Sequence, residues 1–242
     1  MKLDLIFDLD DTLSDCGIFY RDQQKRFTEF QSHRTGLPEE LIHTLRENID
    51  VTFTSTPDGF SRERFPRSFA STSATIDIML GNPVDEDAAE QSFLLGDEVF
   101  NAMYPLREGV EEMLTAYMEN GHRLFMLTKG DYDVQIRKVA LNGLRQWFDN
   151  DRIYIVNQKT SEDLHRVIVD HNIDITNAVM IGDSMRDDVG NAKALGITSV
   201  WIRNQNTPKW SYENVPYRAD YELDHTAELV NLIDPIKGQF TR

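Results

Sequence analysis

The sequence predicts an α/β protein, a doubly wound, Rossmann-like parallel sheet core with an all-helical unit inserted after the first strand. Three observations carry this prediction. Short apolar runs alternate with helical periodicity over residues 1–13 and 108–242, the pattern of parallel strands covered on both faces. Residues 14–107 show helical patterns but none of these buried-strand runs. The runs themselves end in Asp, Thr or Gly-Asp, where an open parallel sheet keeps its chemistry.

In chain order the apolar runs are "KLDLIFD", "HRLFMLT", "RIYIV", "AVMIGD", "SVWI" and, more weakly, "ADYEL". Between them, Val110, Met113, Leu114, Tyr117 and Met118 fall on one helix face. Ile136, Val139, Ala140, Leu144 and Trp147 define a second, and Leu164, Val167, Ile168 and His171 a third. Within the insert, Leu41, Ile42, Leu45 and Ile49 predict one helix, and Phe93, Phe100, Met103 and Tyr104 another. The breaks "HRTGLPEE" and "LGNPVDED" each place Pro and then acids at a helix start, which suits the helix dipole.

The chain has 242 residues, enough for a large core with a smaller inserted unit. Its net charge of -16 argues against a nucleic-acid partner or an anionic membrane surface, since both need clustered Lys and Arg. The single cysteine, Cys16, allows no disulfide within the chain and fits a reducing, cytoplasmic setting. No apolar run reaches the ~18 residues of a membrane span. The N-terminus carries Asp4 and Asp8 within its apolar run and reads as a strand rather than a signal peptide. An acidic protein that handles an anion must, however, build a local positive site.

The strand ends supply candidates. The first run stops at Asp8, with Asp10 two residues on; the second ends in Thr128 and Lys129; the fourth ends in Gly182 and Asp183. Lys159 precedes a helix that Thr160 or Ser161 can cap. Asp8 and Asp10 share a side of an extended strand, and Asp183 can converge on them from another strand end. Clustered carboxylates of this kind suit Mg²⁺, which would offset their mutual repulsion.

These residues resemble the haloacid dehalogenase superfamily, most of whose members are phosphohydrolases. "DLDDT" matches its Asp-x-Asp-x-Thr signature, Thr128 its strand-end hydroxyl, Lys159 its Lys ahead of a helix, and "IGDSMRDDVGNAKALG" its acidic Gly-Asp run. The resemblance implies that Asp8 is the nucleophile, forming an aspartyl-phosphate, and that Asp10 is the general acid and base. It implies that Thr128 and Lys159 bind the phosphoryl group, and that Mg²⁺ binds Asp8, the Asp10 backbone carbonyl and Asp183. Either Asp187 or Asp188 can be the second acid of the fourth motif; the family's usual spacing favours Asp188. Lys129 can hold phosphate or face solvent, with solvent the preferred reading. Asp11 fills a motif position that is often Gly.

The resemblance also implies that the insert is a cap closing over a small phosphorylated metabolite. Arg21, Lys25 and Arg26, and Arg62, Arg64 and Arg67, can reach a second anionic group or lie on a solvated face with nearby acids. Phe19, Phe27, Phe30, Phe53, Phe60, Phe65 and Phe69 are expected to build the cap's core, and His33 and His43 to lie at its surface. Cys16 reads as an ordinary thiol. The expected activity is Mg²⁺-dependent phosphomonoester hydrolysis. The alternatives are a sugar-phosphate mutase and a non-catalytic phosphate sensor, although a pure binder has no need of Asp10. Family dehalogenases lack an Asp at that position.

Overall fold

The computed structural model describes residues 2–54, 61–205, 207 and 211–232. Phe60 and residues 233–242 of the expected core lie outside the described residues. Six parallel strands form one sheet: β1 (Asp4–Phe7), β2 (Arg123–Lys129), β3 (Ile153–Val156), β4 (Ala178–Gly182), β5 (Thr198–Ile202) and β6 (Tyr221–Leu223). Their order is β3-β2-β1-β4-β5-β6, all pairs parallel. This is the doubly wound order, with a switch point between β1 and β4.

Both faces are buried, and the pleat sorts the side chains between them. Leu5 and Phe7 of β1, Leu124 and Met126 of β2, and Val179 and Ile181 of β4 share one core cluster. Helix α5 (Val110–Glu119) covers that cluster with Val110, Met113, Leu114 and Tyr117. Ile6, Phe125, Leu127 and Met180 fall in the opposite cluster, with Leu164, Val167 and Ile168 of α7 (Ser161–Asp170) and Ala192 of α8 (Gly190–Leu195).

Helix α6 (Tyr132–Leu141) departs from the expected pattern. Leu144 and Trp147 lie beyond it, after a left-handed Gly143 and around a 3-10 turn, and Ala140 is exposed. The buried positions of α6 are Gln135, Lys138 and Val139. An apolar-periodicity reading cannot find a face built from an amide and an ammonium. Met118 of α5, expected on the core face, is exposed as well.

The chain separates into two compact units, Met1–Gly17 with Tyr104–Arg242, and Ile18–Met103. The second unit is all-helical: α1 (Gly17–Thr35), α2 (Glu39–Thr54), α3 (Arg64–Met79) and α4 (Glu86–Asp97). Helices α1 and α3 were not legible because polar residues share their buried positions. Gln31 of α1 donates to Ser73 Oγ (3.0 Å) and Ser92 Oγ (2.9 Å), and Ser68, Thr72 and Ser73 of α3 are buried. The expected helix through Phe93 and Tyr104 instead stops at Asp97; a 3-10 turn follows (Glu98–Asn101), and Ala102 is already extended.

Phe27, Phe65 and Phe69 form the centre of this unit, with ring centroids 4.6 Å (Phe27–Phe69) and 4.8 Å (Phe65–Phe69) apart. Phe19, Phe30 and Phe53 are partly buried. His33 is exposed and His43 half-exposed beside Glu47. The basic residues pair with acids of the same unit: Lys25 with Glu29, Arg26 with Glu98, Arg62 with Asp97, Arg64 with Asp50 and Arg67 with Glu63. Among the described residues, no helix is long and apolar enough to cross a membrane.

Candidate active site

The site is built at the carboxyl ends of β1 and β4, the switch point of the sheet. Phe7 is in register with Ile181, and the Asp8 N–H donates to the Ile181 carbonyl (2.9 Å), carrying the ladder one residue past β1. Asp8 therefore leaves the sheet beside Gly182 and Asp183. Beyond β4 the chain makes a single π-type turn over Met185–Val189, capped by Ser184, whose side chain accepts from the Asp187 N–H (3.0 Å). The turn folds Asp188 back over Gly182: a Cβ at Gly182 would lie 2.0 Å from Asp188 Oδ2, so glycine is required for that approach.

Asp8, Asp183 and Asp188 come together, with one carboxylate oxygen from each lying within 4.8 Å of the others. Asp8 and Asp188 are buried. Lys159, also buried, donates to Asp8 Oδ1 and to Asp188 Oδ1 (2.7 Å), and the Ser184 N–H donates to Asp188 Oδ2 (2.9 Å). Asp183 accepts from the Thr207 hydroxyl, and its carbonyl accepts from Trp201 Nε1 (2.7 Å). Thr160 caps α7 in a capping box with Asp163, and Asn191 Nδ2 holds the Lys159 carbonyl (3.0 Å), which together fix where Lys159 enters the site.

The electrostatics follow from burying acids together. Burial pushes Asp8 up to about 7; the Lys159 ammonium works against that, and Asp188 and Asp10 add to it. Burial, then the charges of Asp8 and Asp188, raise Asp183 well above the carboxylate range. Burial raises Asp188 too, against the pull of Lys159. Burial works against the Lys159 charge, but Asp188 and Asp8 outweigh it and keep the ammonium charged. Lys159 thus answers two of the three carboxylates by hydrogen bond, while Asp183 receives a neutral hydroxyl. A dense set of oxygen donors with surplus negative charge fits a hard divalent cation such as Mg²⁺.

Asp10 is placed differently from the expectation that it shares a face with Asp8. The strand ends at Phe7, and the Asp10 side chain stands outside the three-acid cluster. Its carboxylate accepts from Lys138 Nζ at 2.8 Å on each oxygen and from Gln135 Nε2 (2.9 Å) on Oδ2. Gln135 Nε2 also lies 2.9 Å from Thr128 Oγ1. An amide nitrogen only donates, so the buried Thr128 hydroxyl accepts here and its own proton is left to donate elsewhere.

The two aspartates of the fourth motif diverge. Asp188 joins the cluster, whereas Asp187 pairs with Lys129. Lys129 does not face solvent as preferred from the sequence; its side chain is 15% exposed and bound to Asp187. Cys16 is buried, and burial followed by Asp10 and Asp11 raises its thiol well above the ordinary value. Gln135, Lys138, Thr207 and Trp201 were not singled out from the sequence. For the first two, the available signal was a pair of long polar residues three apart on one face of a core helix.

Comparison with known proteins agrees with this architecture. The sequence model of the haloacid dehalogenase-like hydrolases matches residues 5–196, and the chain belongs to that family. No curated protein matches the sequence. Among solved structures, a haloacid dehalogenase-like family hydrolase from Xanthomonas campestris superposes with a TM-score of 0.76 at 21% identity, over 98% of this chain and 93% of its own. A HAD phosphatase from Thermococcus onnurineus gives 0.60 at 18% identity, over 96% and 98%. A magnesium-bound HAD-hydrolase from Bacillus subtilis gives 0.64 at 17% identity, over 96% and 99%. Structures described as 2-haloacid dehalogenases share the fold too. At these identities the likeness is one of fold.

Proposed function

We propose that the protein hydrolyses a small phosphorylated metabolite, a phosphomonoester, through an aspartyl-phosphate on Asp8. The observation that supports this best is the division of the carboxylates. Asp8 lies in the cluster with Asp183, Asp188 and Lys159, whereas Asp10 is set apart with its own ammonium, Lys138. A nucleophile and a separate acid–base group are what two-step phosphoryl transfer needs. A dehalogenase of this family has no use for Asp10.

In the first step an Asp8 carboxylate oxygen attacks phosphorus and the ester P–O bond breaks. Asp10 gives its proton to the leaving oxygen. In the second step Asp10, now a carboxylate, takes a proton from water; the water oxygen attacks phosphorus, and the bond to Asp8 breaks. This returns the Asp8 carboxylate and releases phosphate. The Thr128 hydroxyl donates to a phosphoryl oxygen, and the Lys159 ammonium balances charge between Asp8 and the phosphoryl group. Asp8, Asp183 and Asp188 would hold Mg²⁺, which when bound neutralises charge on the phosphoryl oxygens.

Turnover of para-nitrophenyl phosphate tests the proposal, with Mg²⁺, with chelator, and in Asp8→Asn and Asp10→Asn. Mg²⁺-dependent release of para-nitrophenol, lost in Asp8→Asn and reduced by about 10²-fold or more in Asp10→Asn, is the expected result. Full activity in Asp8→Asn would remove the nucleophile from the scheme. Chloride release from a 2-chloro acid, with no phosphatase activity, would give the protein to the dehalogenase side of its family.

A further inference from the structure

Asp10 is held from α6 by two residues that face one way. Lys138 Nζ sits 2.8 Å from both Asp10 oxygens, and Gln135 Nε2 reaches one of them. Lys138 is 4% exposed, and its ammonium lies 4.7 Å from the centroid of the Tyr104 ring, so its stem and head are both fixed by packing. The Asp10 side chain is 28% exposed, so its order comes from these two donors rather than from burial. An ammonium has only donors to offer. Both Asp10 oxygens therefore accept in this structure, the carboxylate form that the second step requires.

We propose that Lys138 is a positioning residue that fixes Asp10 as the general base for hydrolysis of the aspartyl-phosphate. The inference rests on the phosphatase reading above and assigns Lys138 to its second step. There Asp10 takes the proton of water while the oxygen of that water bonds to phosphorus, and a carboxylate free to rotate would misplace the water. Para-nitrophenolate leaves readily without a proton, so the first step with this ester depends little on Asp10. Loss of Lys138 then separates the two steps, whereas loss of a purely structural residue would slow both.

The test is pre-steady-state release of para-nitrophenol from para-nitrophenyl phosphate with Mg²⁺ in the wild type, Lys138→Met, Lys138→Arg and Asp10→Asn. In Lys138→Met the expected result is a burst approaching one equivalent, with a rate constant within about threefold of the wild-type first step. Steady turnover then follows, slowed roughly 10- to 100-fold, with KM falling in parallel. Lys138→Arg, which can still grip both oxygens, recovers part of the steady rate. The burst rate constant, and the steady rate divided by the burst amplitude, do not depend on the folded fraction. A partly unfolded variant therefore still reports. Equal slowing of both phases, or no slowing, overturns the proposal. If Asp10→Asn shows the slow second phase and Lys138→Met does not, only the role of Lys138 falls. If Asp10→Asn turns over like the wild type, the acid–base reading falls and this inference with it.

Discussion

Asp11 sits in the left-handed region, at a φ of 57°, a conformation that favours Gly. Its carboxylate repays part of that strain by accepting from the Gly17 N–H (2.8 Å), and its carbonyl accepts from Arg107 Nη1 (3.0 Å) and Asn204 Nδ2 (2.9 Å). Asp11→Ala keeps the strain and loses the side-chain bond; chemical denaturation should show a loss of about 1–2 kcal/mol. Asp11→Gly loses the bond but relaxes the backbone, and should lie nearer the wild type. The neighbouring Asp8 makes stability depend on pH. Its folded value of about 7 lies above the ordinary 3.8, so the folded state holds the proton more tightly. That contribution is complete below about pH 4 and is lost as pH rises toward 7. In chelator, the Tm of the wild type should therefore fall more steeply through this window than that of Asp8→Asn. Parallel profiles would show that Asp8 is ionised throughout.

Two local structures bring the site together. The turn after β4 depends on Gly182, because a methyl group there would meet Asp188 Oδ2 at 2.0 Å and separate Asp188 from Lys159. Gly182→Ala should cost about 2 kcal/mol or more by leaving a buried charge poorly paired, and should remove turnover. Wild-type stability and rates in this variant would mean that the turn accommodates the methyl by moving. The capping box of α7 orders the segment that delivers Lys159. Thr160→Ala should lower stability by about 1 kcal/mol, read as a shift in denaturation midpoint with the unfolding slope unchanged.

For the whole molecule, the proposed function asks a chain of net charge -16 to handle an anion, and the cluster offers a way to do so. On that proposal the three acids would collect the cation, and the Lys159 ammonium adds positive charge beside them. On the proposed function the folded state binds Mg²⁺ through a cluster the unfolded chain lacks, so the metal should stabilise the fold by about 2.7 kcal/mol at a hundred times Kd, read as a concentration-dependent rise in Tm. Asp183→Asn removes a partly buried acid from beside Asp8 and Asp188. It should raise the Tm of the chelated protein while abolishing both the Mg²⁺ shift and turnover, a trade of function for stability. A lowered Tm in chelator would show that Asp183 stabilises the fold by some other contact.

The sequence by itself determined the parallel sheet, the place of the helical insert, and the positions of Asp8 and Asp183 just past their strands, Thr128 near the end of β2 and Lys159 ahead of α7. Those features are local: an apolar run marks a strand, and its end marks the edge of the sheet. It favoured Asp188 by the family's spacing but kept Asp187 as an alternative, because neighbours in sequence can point anywhere until a turn is specified. The π-type turn decided this by folding Asp188 toward Lys159 and Asp187 toward Lys129. It did not disclose Gln135 and Lys138, whose partner Asp10 lies 125 and 128 residues away, nor Thr207 beside Asp183. A polar residue on a core helix has no periodic signature of its own. Its meaning depends on which charge the fold brings opposite, and only the tertiary structure supplies that charge.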